Sequence, residues 1–203
     1  MSRCHTLSEL KVNIERRNVV IVSPGPSLGD DIDNLRKYAK FLIIIAVGQA
    51  CPILTSHGIS PDYVVVVDSQ EHTHFLKGLD TSKLKAFIFY DHVHKNFLEI
   101  FPEVEKVIIS MEGDAISFID VGFNVKEDIT GGSVSVVALK IAVALGAAKI
   151  GLMGQDLHLE AGQYYGQTKP KNISVPDDRI FYNNKIYKKI IVKTNSEAEA
   201  ATY

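Results

Sequence analysis

The 203-residue sequence predicts an α/β fold, a Rossmann-like and mostly parallel sheet with helices on both faces. Two observations carry that prediction. Apolar, β-branched runs recur at 18–23, 42–47, 63–68, 86–90, 106–110 and 149–154, and they are apolar at nearly every position rather than at alternate ones. Strands of that kind are buried on both faces, which is where parallel pairing is found. The runs also alternate with segments of helical spacing, so that each strand is followed by a crossover. Parallel sheets place ligands beyond the carboxyl ends of their strands, near the point where the strand order reverses.

Composition narrows the class. With 22 basic against 24 acidic residues the net charge is −2, which gives no electrostatic reason to expect nucleic acid as a partner. At 46% hydrophobic and 23% charged the chain can bury a core, and it reads as one domain over 1–203. The longest apolar runs, 41–47, 63–67 and 134–148 (broken by Lys140), fall short of the roughly 18–20 residues of a membrane span. No secretory core follows the N-terminus and two cysteines make no disulfide framework, so a cytoplasmic location is expected.

The first strand, 18–23, runs into Ser23-Pro24-Gly25-Pro26-Ser27-Leu28, and Leu28, Ile32, Leu35 and Ala39 then mark a helix over 28–39. Gly25 permits close approach, the prolines stiffen the turn, and Ser27 with Asp30 suits a capping box. Such a turn can present N–H groups to phosphate, here those of Gly25, Ser27, Leu28 and Gly29. Neither G-x-G-x-x-G nor G-K-[ST] is present, which removes the dinucleotide fingerprint and the P-loop.

The second strand delivers Gly48-Gln49, and the third delivers Asp68, to the same edge. Gln49 offers a paired donor and acceptor to a base or sugar, and Asp68 suits a ribose hydroxyl or a cation. Two H-x-H pairs, His72/His74 and His92/His94, follow the strands at 63–68 and 86–90. In extended backbone each pair would share a face and could chelate a metal, but loop positions need not converge; no metal site is assigned. A helix is expected at 93–101.

The most informative stretch is TGGSVSVVALKIAVALGAAKIGLMGQDL at 130–157. Gly131, Gly132 and Ser133 precede a helix over 133–145 that stops at Gly146, a C-terminal capping glycine. Its nearly unbroken apolar composition predicts deep burial. The strand at 149–154 then carries Gly154, Gln155 and Asp156 to the ligand edge. Residues 160–184 interrupt the rhythm and read as a lid-like loop, followed by a strand-like run at 185–193 and a helix start at Asn195 or Ser196. The chain therefore reads as ending inside or just after its domain boundary, within a possibly truncated region 160–203.

Together, SPGPSL, GISPDYVVVVDSQ and the 130–157 block resemble the motility-associated factor (Maf) family, the domain of unknown function 115 group, whose members are also described as like the archaeal 6-hydroxymethylpterin pyrophosphokinase MptE. The same blocks are similar to sialyltransferases of glycosyltransferase family 42. The resemblance covers about 18–157. It implies a nucleotide-sugar pocket of the CMP-sugar type, in which Gly25, Pro26 and Ser27 approach the phosphate or ribose and Gly48 and Gln49 the nucleotide or donor sugar. Gly131, Gly132 and Ser133 would cradle the nucleotide, and Asp156, beside Gln155, would border the base or ribose.

The family comparison also implies transfer of a nonulosonic, sialic-acid-like sugar to flagellin Ser or Thr without a metal or other cofactor. The sialyltransferases carry a catalytic histidine beyond their G-x-D block; here the last histidine is His158, so the base is either His158 or absent from the chain. Two other readings stand beside transfer. One is a non-catalytic module that binds a nucleotide-sugar or flagellin. The other is ATP-dependent 6-hydroxymethylpterin pyrophosphokinase chemistry, with Asp68 and Asp156 holding Mg²⁺.

Overall fold

The computed structural model describes residues 4–5, 7–90, 92–109, 132–156 and 158–159, together with 179–182, 185–188, 192–193 and 199–200. Strands β1 (Cys4–His5), β2 (Asn18–Val22), β3 (Ile43–Val47), β4 (Tyr63–Val66), β5 (Ala86–Tyr90), β6 (Glu105–Ile109) and β7 (Lys149–Met153) form one sheet. Its order is β1-β6-β5-β4-β3-β2-β7. Every pairing in it is parallel. The chain steps outward from β2 through β3, β4, β5 and β6, then returns to place β7 on the other side of β2. The reversal of strand order therefore lies between β2 and β7.

Alternation along each strand divides the core into two layers, as a sheet covered on both faces requires. Val20, Val22, Ile44, Ala46, Val64, Val66, Phe87 and Phe89 face one layer, which is closed by Leu28, Ile32 and Leu35 of α2 (Leu28–Tyr38), by Ile53 and Leu54 of α3 (Cys51–Ser56) and by Phe97 of α4 (Asn96–Glu99). Val19, Ile21, Ile43, Ile45, Tyr63, Val65, Ile88 and Val107 face the other. There Ile14 of α1 (Lys11–Ile14) and Val137, Ala138 and Ile141 of α5 (Val134–Ala144) cover them.

The six longer strands lie within a residue or two of the expected runs; the two-residue β1 and the helix α3 were not anticipated. The helix expected over 93–101 is only one turn, Asn96–Glu99. Phe101 precedes Pro102, which disfavours helical backbone at the residue before it, and Phe101 instead has φ 48°. The deep burial expected of α5 holds on one side only. Its inner face is buried, whereas Val136 and Val143 are 38% and 57% exposed. The sheet meets one face of the helix, and β7 is an edge strand on which Leu152 is also exposed.

Beyond Asp156 the described pieces are strands. Residues 160–178 lie outside the described residues, so most of the expected lid does too. Within it, β9 (Arg179–Tyr182) pairs with β10 (Lys185–Lys188) as an antiparallel hairpin. The helix expected from Asn195 or Ser196 is contradicted at Glu199–Ala200, which is strand β12, paired with β11 (Val192–Lys193) and with β8 (His158–Leu159). A handful of residues after a cap gives too few helical bonds to offset nucleation, and cross-strand partners prevail. No helix among the described residues is long and apolar enough to cross a membrane.

Ile45, with no exposed surface at the centre of the sheet, should be a stringent core position. Ile45→Ala is expected to lower unfolding free energy by about 2–5 kcal/mol in urea titration, whereas Phe41→Ala, at a 62% exposed site, should change it by no more than about 0.5 kcal/mol.

Candidate functional site

Two of the three sequence blocks, SPGPSL and 130–157, meet where the strand order reverses. Ser23 and Gly25 donate backbone N–H bonds to the carbonyls of Met153 and Gly154, at 2.9 and 2.8 Å, which continues the β2–β7 contact past the last ladder pair. A Cβ on Gly25 would overlap the Asp156 carboxylate and the Gly154 carbonyl. Gly154, at φ 65°, faces the Ser23 carbonyl with equally little room. Both glycines are thus fixed by the closeness of two strand ends that are far apart in sequence.

Side chains complete the junction. The Ser27 N–H donates to Asp156 Oδ2 at 3.0 Å. The Ser23 hydroxyl donates to Gln155 Oε1 at 3.3 Å, and Gln155 Nε2 donates to the hydroxyl of Ser135. Ser135 in turn lies 2.9 Å from the Ser133 hydroxyl, and Ser133 caps α5 by accepting from the Val136 N–H. An unbroken polar chain therefore ties the end of β2 to the end of β7 and to the first turn of α5.

This arrangement corrects one expectation. The N–H groups of the first turn are engaged within the protein: Gly25 with Gly154, Ser27 with Asp156, Leu28 with the Gly25 carbonyl and Gly29 with the Pro26 carbonyl. The capping box is also not formed, because Ser27 is itself helical, with φ −63°, and its side chain makes no cap bond. The cap comes from Asp156 across the strand reversal. A carboxylate at a helix N-terminus is favourable on charge grounds, and here it occupies the place where an external anion would otherwise bind.

The start of α5 differs. Ser133 is extended, with φ −149°, and the N–H groups of Val134 and Ser135 have no acceptor within the helix. Among the described residues no atom comes within 4 Å of the Cβ that Gly132 would carry. Neither packing nor backbone conformation there calls for glycine, which leaves space for close approach to that turn. Gly131 lies outside the described residues.

Next to this junction a cleft of about 320 Å³, counting its open mouth, runs between the ends of β3 and β4. Gly48 and Gln49, then Val65, Val66, Val67 and Asp68, form one wall; His72, Phe75, Leu76, Phe97 and Val134 form the rest. The structure brings Gly48, Gln49 and Asp68 together as expected from their strand ends. A Cβ on Gly48 would stand 3.2 Å from Val66, so this glycine keeps the two strand ends close. The sequence reading missed Phe75, Leu76 and Phe97 as cleft residues, along with the polar links made by Ser23 and Ser135. Ser135, two residues after Ser133 at a helix start, was the signal that could have been used.

The histidine pairs sit on the loops bordering this edge. His72 and His74 place their rings edge-on at 5.8 Å, and His92 lies 5.5 Å from the Tyr90 ring. Bonds from the Thr73 hydroxyl and N–H hold the exposed Glu71 carboxyl below its ordinary range, with His94 and His74 adding to the effect. No group of three or more His, Cys, Asp or Glu that could hold a metal occurs among the described residues. Cys51 is buried and free, and burial pushes its thiol up to about 12, which removes it as a nucleophile. The expected base, His158, lies in β8 opposite Ala200, in a small antiparallel sheet separate from the parallel one.

Fold and junction together define an α/β protein of the Rossmann-like class, with a cleft at the ends of β3 and β4 beside its strand reversal. The profile of the 6-hydroxymethylpterin diphosphokinase MptE-like family matches residues 1–162, and the chain belongs to that family. No curated protein matches it. Among solved structures, the MAf glycosyltransferase from Magnetospirillum magneticum AMB-1 shares the fold with a TM-score of 0.61 at 21% identity. The match covers 88% of this chain and 27% of that one, so this chain corresponds to about a quarter of that protein's length.

The junction makes a stability prediction. Gly25→Ala should cost about 1–3 kcal/mol or more through backbone overlap. Asp156→Ala should cost about 1–3 kcal/mol through loss of a charge-assisted cap. Denaturant unfolding of the pair should also be non-additive, since the residues touch.

Proposed function

We propose that this chain binds a nucleotide-activated sugar, with its nucleotide in the cleft at the ends of β3 and β4, beside the β2–β7 junction, and its phosphate against the first turn of α5. The reading continues to transfer of a nonulosonic sugar from a CMP donor to a protein hydroxyl, such as a flagellin Ser or Thr. It is carried chiefly by the hydrogen-bonded convergence of two separate sequence blocks, SPGPSL and 130–157, beside the cleft that Gly48, Gln49 and Asp68 line. The fold shared with a glycosyltransferase supports it. No metal or other cofactor is required, because a helix N-terminus can receive the one phosphate of a CMP donor.

Charge separates this reading from ATP-dependent pyrophosphoryl transfer, the activity in the family's description. Among the described residues the cleft lining contains an Asp and no Lys or Arg. A triphosphate there would need divalent cations, for which Asp68 and Asp156 are the carboxylates at hand. Asp156 instead directs Oδ2 to the Ser27 N–H, where it serves as a cap. One phosphate demands far less compensation than three.

Thermal shift decides between them. CMP and CMP-N-acetylneuraminate should stabilise the protein in EDTA, by about 2.7 kcal/mol at a ligand concentration 100 times Kd. ATP should give no comparable shift with or without Mg²⁺. Ser133→Trp should abolish the CMP response and leave far-UV circular dichroism unchanged. Stabilisation by ATP only with Mg²⁺ would favour the pyrophosphokinase reading, and CMP binding without turnover would favour a binding module.

A further inference from the structure

We propose that His72 is the proton acceptor for chemistry in the cleft, an inference that rests on the nucleotide-sugar reading above. Among the described residues lining the cleft, Asp68 and His72 are the ones that can exchange a proton, and imidazole is the side chain suited to accept one near neutral pH. His72 is half-buried, and its ring lies beside a pair of neighbouring rings, Phe75 at 5.5 Å and His74 edge-on at 5.8 Å. Its carbonyl accepts from the Phe75 N–H at 3.1 Å, so the same short helical turn that supplies Phe75 and Leu76 to the cleft also sets the position of His72. Val134, the first residue of α5, lines the same cleft, which puts the imidazole and the proposed phosphate turn on one cavity.

His72 stands among other titratable groups. Asp68 lines the cleft with it, Glu71 precedes it, and His74 packs against it. Glu71 is held by Thr73 and lies within the field of both His74 and His94, so the loop carries two carboxylates and two imidazoles, with His94 of the neighbouring loop a third. In the step assigned to His72, the acceptor hydroxyl oxygen bonds to the anomeric carbon. The bond from that carbon to the phosphate oxygen breaks, and its electron pair leaves with the nucleoside monophosphate. The hydroxyl proton passes to the His72 imidazole. With water as acceptor the same step is hydrolysis. His158, the other candidate base, stands in β8 of the separate antiparallel sheet.

The full chain, His72→Gln and His158→Gln are compared with two probes, CMP for binding and CMP-N-acetylneuraminate for CMP release. His72→Gln should keep the CMP-induced thermal shift, lose about 10²–10⁴-fold in CMP release, and lose the fall in rate that the wild type shows as pH drops through the imidazole range. His158→Gln should keep rate and pH profile. The His72 Cε1–H resonance should move on saturation with CMP. The assignment is overturned if His72→Gln releases CMP at the wild-type rate, if its acid limb persists, if that resonance does not move, or if the wild type binds CMP but releases none. A wild type that CMP fails to stabilise at all overturns the nucleotide reading itself, and the base with it.

Discussion

The contact on which the site depends is the carboxylate of Asp156 against the N-terminus of α2. One hydrogen bond joins the last strand of the parallel sheet to the first strand–helix turn, across 129 residues of sequence. It satisfies an N–H that has no partner within the helix and places negative charge at the positive end of the dipole. The close backbone approach at Gly25 and Gly154 makes the contact geometrically possible, and the prolines on either side of Gly25 restrict the turn that presents Ser27. With this corner locked, the end of β7 becomes a fixed wall, and the Ser23–Gln155–Ser135 chain can hold the α5 N-terminus beside it.

The lock also distributes electrostatic roles. Two helices begin at this edge with similar Gly/Ser turns, and on sequence grounds either could receive an anion. The protein supplies its own anion to α2 and leaves the first turn of α5, with its open approach at Gly132, to face the crevice. A chain whose net charge is only −2, and whose cleft shows no Lys or Arg among the described residues, thus still has an oriented set of N–H donors beside that cleft. Fixed backbone dipoles of this kind need no reorganisation when charge arrives, which is what a departing phosphate requires.

The sheet was legible in the sequence because its strands are buried on both faces and so carry uninterrupted apolar runs: 86–90 matches β5 residue for residue, and the others shift by one or two positions. α2 and α5 were legible from spacing and from Gly146. The placement of Gly25, Gly48, Gln49, Asp68, Ser133 and Asp156 along one edge followed from their positions at strand ends. What could not be read was which partner each would take. The Asp156–Ser27 bond and the Ser133–Ser135–Gln155–Ser23 chain link residues with no sequence periodicity between them. The role of His72 could not be read from its H-x-H spacing, because only the turn at Thr73–Leu76 shows that its ring belongs with Phe75 at a cleft wall. The turn before Pro102 and the strand at Glu199–Ala200 overrode local helical patterns for similar reasons: a single steric clash and a cross-strand partner each outweigh weak propensity.

A structure of this chain with CMP bound, prepared in EDTA, tests the division of labour between the two helix ends most directly. The phosphate is expected within hydrogen-bond distance of the Val134 and Ser135 N–H groups, with Asp156 still on Ser27. A phosphate seated instead on the first turn of α2, with the Asp156 carboxylate displaced from Ser27, would contradict it.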